Sequence, residues 1–163
     1  MKRILALLLC LIFILSGCQR PQDEEGNVCF YYLDANPSYD SRSSIFLPQS
    51  RQDMANGTME QILRVYLAGP QDEQFLSPFP AGLQLVSYRL EEKTAYLTFS
   101  KDLATLSNLD LTLACGCIAM TVLDLTGSEQ VYIDAEGSLL SGQKAIIMDR
   151  SNLQLLDNSA QGE

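Results

Sequence analysis

The chain has 163 residues, eleven basic against twenty acidic side chains for a net charge of −9, and no histidine. Without histidine there is no Ser-His-Asp or Cys-His pair and no histidine-containing zinc site. The acidic balance repels phosphate backbones and anionic lipid headgroups, which argues against nucleic acid as a partner and against a polybasic membrane contact, although plain solubility explains the charge equally well.

In chain order, Lys2 and Arg3 precede an apolar run, Ile4 to Leu15, and then Ser16, Gly17 and Cys18. A charged start, a short apolar stretch and small residues before a fixed point describe a secretory signal peptide over 1–17. The run falls short of the ~20 apolar residues that span a bilayer. Leu15-Ser16-Gly17-Cys18 resembles a bacterial lipobox, in which the chain is cut between the residues matching Gly17 and Cys18 and the cysteine thiol carries a diacylglycerol. An ordinary secreted protein with a cysteine at that place is the alternative. The polar stretch Gln19 to Asn27 reads as a tether, so 18–27 is expected to link a membrane surface to a domain on its extracytoplasmic face.

From Cys18 onward nine basic and twenty acidic side chains remain, a net charge of −11. That length suits one domain with a real core. Three cysteines are left for it, Cys29, Cys115 and Cys117, an odd number that fits no disulfide framework. Cys115 and Cys117 point to different sides of a helix and read as core thiols, with a bridge from Cys29 to one of them as the alternative.

Val28 to Leu33 is aromatic and β-branched and reads as a strand. Ile45-Phe46-Leu47-Pro48 reads as an edge strand ended by Pro48. Thr58 and Gln61 form a capping box, followed by a stripe of Met59, Ile62, Leu63, Tyr66 and Leu67, with Gly69-Pro70 as the stop. A loop from Gln71 to Gly82 leads to two strands, Leu83–Leu90 and Thr94–Phe99, joined across Glu91-Glu92-Lys93. A second helix runs from Asn108 to Leu125, with Ser107 as N-cap and Gly127 beyond its end. It is apolar nearly all round, which means burial on more than one side. A surface left for a partner around Gly116 is the alternative. Val131–Ile133 is a central strand, Ile146–Met148 a short edge, and 151–163 a frayed polar tail. The expected fold is α+β over 28–150: two helices on one face of a small mixed, mainly antiparallel sheet, in the order βαββαβ.

No constellation for catalysis emerges. Ser141-Gly142-Gln143-Lys144 has Ser-x-x-Lys spacing but lies in a glycine-rich turn, Glu91-Glu92 lies in a hairpin turn, and no phosphate loop, calcium loop or dinucleotide fingerprint is present. The expectation is a non-enzymatic protein without metal or cofactor.

Leu67-Ala68-Gly69-Pro70 closing a helix, Leu76-Ser77-Pro78-Phe79-Pro80-Ala81-Gly82 leading into a strand, and Leu97-Thr98-Phe99-Ser100 resemble the GerMN domain of sporulation and spore germination. Met120-Thr121-Val122-Leu123 and the strand through Val131-Tyr132-Ile133 to Glu136-Gly137 follow in that family's order, so the resemblance covers about Val28 to Gly137. It implies an envelope lipoprotein of a Gram-positive bacterium and a fold similar to ring-building modules, with no catalytic residues to carry over. The best-known member has two tandem copies, whereas this chain has room for one, and Cys115-Gly116-Cys117 inside a helix departs from the pattern. The functional expectation is a module that binds an envelope protein, as a homo- or hetero-oligomer, attached to the membrane through lipid on Cys18. Its candidate contact residues are Ile45, Phe46, Leu47 and Gly116. A lipoprotein that binds a cell-wall ligand or assists a wall hydrolase is the alternative.

Overall fold

The computed structural model describes residues 27–37, 44–52, 54 and 56–159. β1 (Val28–Asp34) forms where a strand was expected, and it alternates, with Val28, Phe30 and Tyr32 turned into the core. It pairs antiparallel with β2 (Phe46–Arg51), and its last two residues pair with β3 (Phe75–Leu76), giving a three-stranded sheet in the order β2-β1-β3. β3 falls in the expected loop; two residues are too few to show a period.

Pro48 does not end β2. Opposite it, Tyr31 aims its backbone N–H at Thr121 Oγ1 (2.9 Å), and its carbonyl accepts from the Tyr66 hydroxyl (2.8 Å). Tyr31 and Pro48 are therefore a non-hydrogen-bonded pair, and the donor that proline lacks would have faced outward. Helical side chains thus take the place of a further strand along β1.

α1 (Met59–Leu67) starts at the expected capping box. Thr58 Oγ1 accepts from the Gln61 N–H, and Gln61 Oε1 accepts from the Thr58 N–H. Its stripe buries Ile62, Leu63 and Tyr66. Gly69, at φ +98°, makes the left-handed turn out of the helix.

The second sheet holds four strands, β4 (Leu85–Glu91), β5 (Thr94–Phe99), β6 (Gln130–Ala135) and β7 (Ala145–Asp149), in that spatial order. β5 and β6 are parallel, and the other pairs antiparallel. A parallel pair needs a long crossover. Here it is a 3-10 turn, Lys101–Thr105, followed by α2 (Asn108–Thr126). α2 packs against β1 and also against β5, β6 and β7, while α1 lies against β4. The class is α+β, as expected. The strands divide between two sheets, and α2 is apolar all round because it meets both; ten of its 19 residues are buried. The expected frayed tail instead holds α3 (Arg150–Ser159). Asp149 Oδ1 accepts the backbone N–H of Ser151 and of Asn152, and Asn152 Oδ1 accepts the Asp149 N–H in return. Arg150 and the Tyr31 hydroxyl both bond Asp124, tying α3, α2 and β1 together (2.8 and 2.7 Å).

Leu63 and Leu97 are each 1% exposed, in α1 and β5. Truncating either to Ala should cost about 2–5 kcal/mol in urea melts. Glu91 and Glu92 are exposed beside the β4–β5 turn, and Ala at Glu92 keeps the same left-handed backbone (φ 52°). Their truncation should change stability by less than about 0.5 kcal/mol. Equal shifts in the two sets would contradict this packing.

Candidate partner-binding surface

Gly17 and Cys18 lie outside the described residues. The other residues expected at a partner surface are placed apart and mostly inward. Phe46 is 2% exposed and turned into the protein, with Ile45 and Leu47 half-buried on either side of it. Two neighbouring residues of a strand face opposite ways, so this apolar run could not all face a partner. Gly116 is buried, because α2 is covered on both sides there. A charge at Phe46 would therefore damage the interior; it would not probe a surface.

The thiols are interior as well. Cys115 and Cys117 are fully buried and form no disulfide, so neither is bridged to Cys29. Burial pushes the Cys115 thiol up to about 12 and, with Cys115 beside it, raises Cys117 further. Neither is a thiolate nucleophile at neutral pH. Among the described residues no group of three His, Cys, Asp or Glu side chains is placed to hold a metal.

The Ser77–Gly82 loop shapes a recess. Its shape follows from local bonds: Ser77 Oγ accepts from the Phe79 N–H (3.3 Å), the Pro80 carbonyl accepts from the Leu83 N–H (3.2 Å), and Gly82 takes φ +83°. Phe79 is anchored edge-on to Tyr66, with centroids 4.9 Å apart. Tyr66 in turn packs on Phe30 and Tyr32, and its backbone carbonyl accepts from the Tyr32 hydroxyl (2.8 Å). Between this loop, the last turn of α1 and the start of β4 lies a cleft of about 640 Å³. Leu67, Phe79 and Leu85 give its apolar walls, Ser77 and Gln84 its uncharged polar groups, and Arg64 its one charge among the described residues. On the other side of Pro78-Phe79-Pro80 is a smaller recess of about 190 Å³, walled by Leu33, Leu76, Leu106 and Leu113, with Asp110 as its charge. Neither wall brings a nucleophile beside a base. The arrangement can hold an extended, partly apolar segment against a rigid ridge. The sequence carried the signal in its Pro-x-Pro-x-Gly spacing, which marks a shaped loop without revealing that both sides of it are hollow.

Residues 29–141 match the family model Germane, described as sporulation and spore germination. The chain belongs to this family. Solved structures share the fold. The tandem GerMN domains of the sporulation protein GerM from Bacillus subtilis superpose with a TM-score of 0.57 at 19% identity, over 82% of this chain and 49% of that one. This chain thus spans about half of the tandem structure. The first GerMN domain of the same protein gives a TM-score of 0.57 at 16% identity, over 77% of this chain and 98% of that one. A candidate lipoprotein from Clostridium perfringens gives 0.50 at 15% identity, over 82% and 95%. No curated protein sequence matches the chain.

Proposed function

We propose that this Germane-family chain is a non-enzymatic lipoprotein, held on the extracytoplasmic face of the cell membrane through Cys18, whose domain binds another envelope protein in sporulation, germination or envelope assembly. The observation that carries the reading is the cleft at the Ser77–Gly82 loop, whose lining among the described residues combines apolar groups, main chain, the uncharged Ser77 and Gln84 and the Arg64 guanidinium, with no nucleophile beside a base. Such a surface suits a peptide segment better than a bond-breaking step. The lipobox-like Leu15–Cys18 supports the anchor. Two acyl chains give stable attachment, and confinement to a membrane raises the effective concentration of a membrane-bound partner, so a modest interface suffices.

Mass spectrometry of the mature N-terminus is expected to find a diacylglycerol-modified Cys18. Cys18→Ala should block removal of 1–17 and shift the protein out of its normal membrane fraction. A processed wild-type chain with an unmodified N-terminus would refute the anchor. For the binding role, affinity capture of the lipidated protein should yield a stable envelope complex; turnover of peptidoglycan or an ester by the purified protein, lost on one carboxylate change, would refute it.

A further inference from the structure

The Pro78-Phe79-Pro80 ridge has opposite charges on its two sides. Arg64 lines the larger recess and Asp110 the smaller one, and both are exposed. Arg64 is not engaged in a salt bridge among the described residues, whereas Arg89 pairs with Glu91, Lys93 with Glu129 and Arg150 with Asp124. Among the described residues, Asp110 accepts only from the Ser107 hydroxyl (2.7 Å) and forms no salt bridge. Ser77, Phe79 and Pro80 line both recesses, so the two charges flank a ridge of one hydroxyl and two apolar groups, and Leu76 on the Asp110 side is 55% exposed.

We infer that the ridge is straddled by an extended segment of a partner protein carrying a carboxylate on the Arg64 side, a cation on the Asp110 side and apolar side chains between. This rests on the protein-binding reading and specifies the partner's chemistry at that site. Charge decides the occupant. A purely acidic segment would meet Asp110 and a strongly negative domain, and a purely basic one would meet Arg64. A segment of mixed charge satisfies both ends, and its order fixes the direction in which it lies. The ridge itself is fixed, because Phe79 is pinned to Tyr66 and Tyr32, so the segment docks on a preformed surface and loses less to ordering.

The probe is a panel of capped peptides with one Asp and one Lys flanking a short apolar run, in both charge orders, with Asn/Gln versions as neutral controls. Each is titrated into the full mature chain while the Phe79 ring and Leu85 methyl signals are followed by NMR. One charge order should shift these signals, and the neutral peptide should bind about fivefold more weakly. Arg64→Glu should weaken the preferred peptide without moving the thermal melt. The double variant Arg64→Glu, Asp110→Lys should prefer the opposite charge order, an exchange that a merely structural role for either residue cannot produce. Equal binding of the neutral peptides, an unchanged preference in the double variant, or no shift at the ridge with any peptide would overturn the inference. If a complex is captured on membranes and survives the double reversal, this site is wrong and the protein-binding function stands. If no complex forms at all, the function itself fails.

Discussion

Tyr66→Ala is expected to lower the unfolding free energy by about 3–5 kcal/mol, among the largest losses any single change here should cause. The ring is fully buried and packs on Phe30, Tyr32 and Phe79, so its removal opens a cavity where α1, β1 and the ridge meet. Tyr66→Phe separates the hydroxyl from the ring. That hydroxyl donates to the Tyr31 carbonyl, while the Tyr31 N–H is received by the Thr121 hydroxyl. Phenylalanine leaves the carbonyl unsatisfied in a half-buried strand, which should cost about 1–3 kcal/mol. Urea melts of both variants test the division. A Phe variant as stable as the wild type would mean that another donor reaches that carbonyl.

The second large effect is alkaline unfolding. Burial raises Cys115, Cys117, Tyr32 and Tyr66 above their ordinary values, the Cys115 thiol to about 12. In the unfolded chain thiols ionise near ~8.5 and phenols near ~10. Between those values and the folded ones the folded state holds more protons than the unfolded state, so stability is complete below about pH 8 and falls as pH rises. At about 1.4 kcal/mol per pH unit for each group, the two thiols alone should remove about 3–4 kcal/mol by pH 10, with the phenols adding beyond it. Melts from pH 7 to 11 should show the decline, and replacing both cysteines with Ala should flatten its first part. A flat profile in the wild type would mean that water reaches these groups in the folded protein.

Much of the local structure was legible because its causes are local. The Thr58–Gln61 box and the α1 stripe each depend on residues a few positions apart. Pairing is different. Nothing in the periods of β1 and β6 tells that they belong to separate sheets, and the apolar girth of α2 is equally consistent with one sheet and a neighbouring helix. The edge strand was found, but its inward residue was not, since Ile45, Phe46 and Leu47 are alike in hydrophobicity and only the register with β1 chooses among them. Gly116 drew notice for its missing side chain, yet its burial comes from two sheets distant in sequence. The ridge was visible as a motif, but its hollows depend on the end of α1 and the start of α2, which only the fold brings alongside.

The girth of α2 also matters before the chain folds. With a mean hydropathy of 1.6, the segment Asn108–Thr126 is long and apolar enough to cross a bilayer. A chain exported as proposed must thread this segment through a translocation channel unfolded, and a channel that reads it as a stop-transfer sequence would release it sideways into lipid. Leucines and valines favour that release by a few tenths of a kcal/mol each, while acidic residues oppose it by ~2.5–3.5 near the middle and less toward the ends. Asp110 and Asp124 sit toward the ends, and Thr112, Gly116 and Thr121 dilute the centre. In a chain exported as proposed, the Thr121 hydroxyl that later closes the side of β1 would also be one of the groups that keep the segment moving while its partners are still unmade.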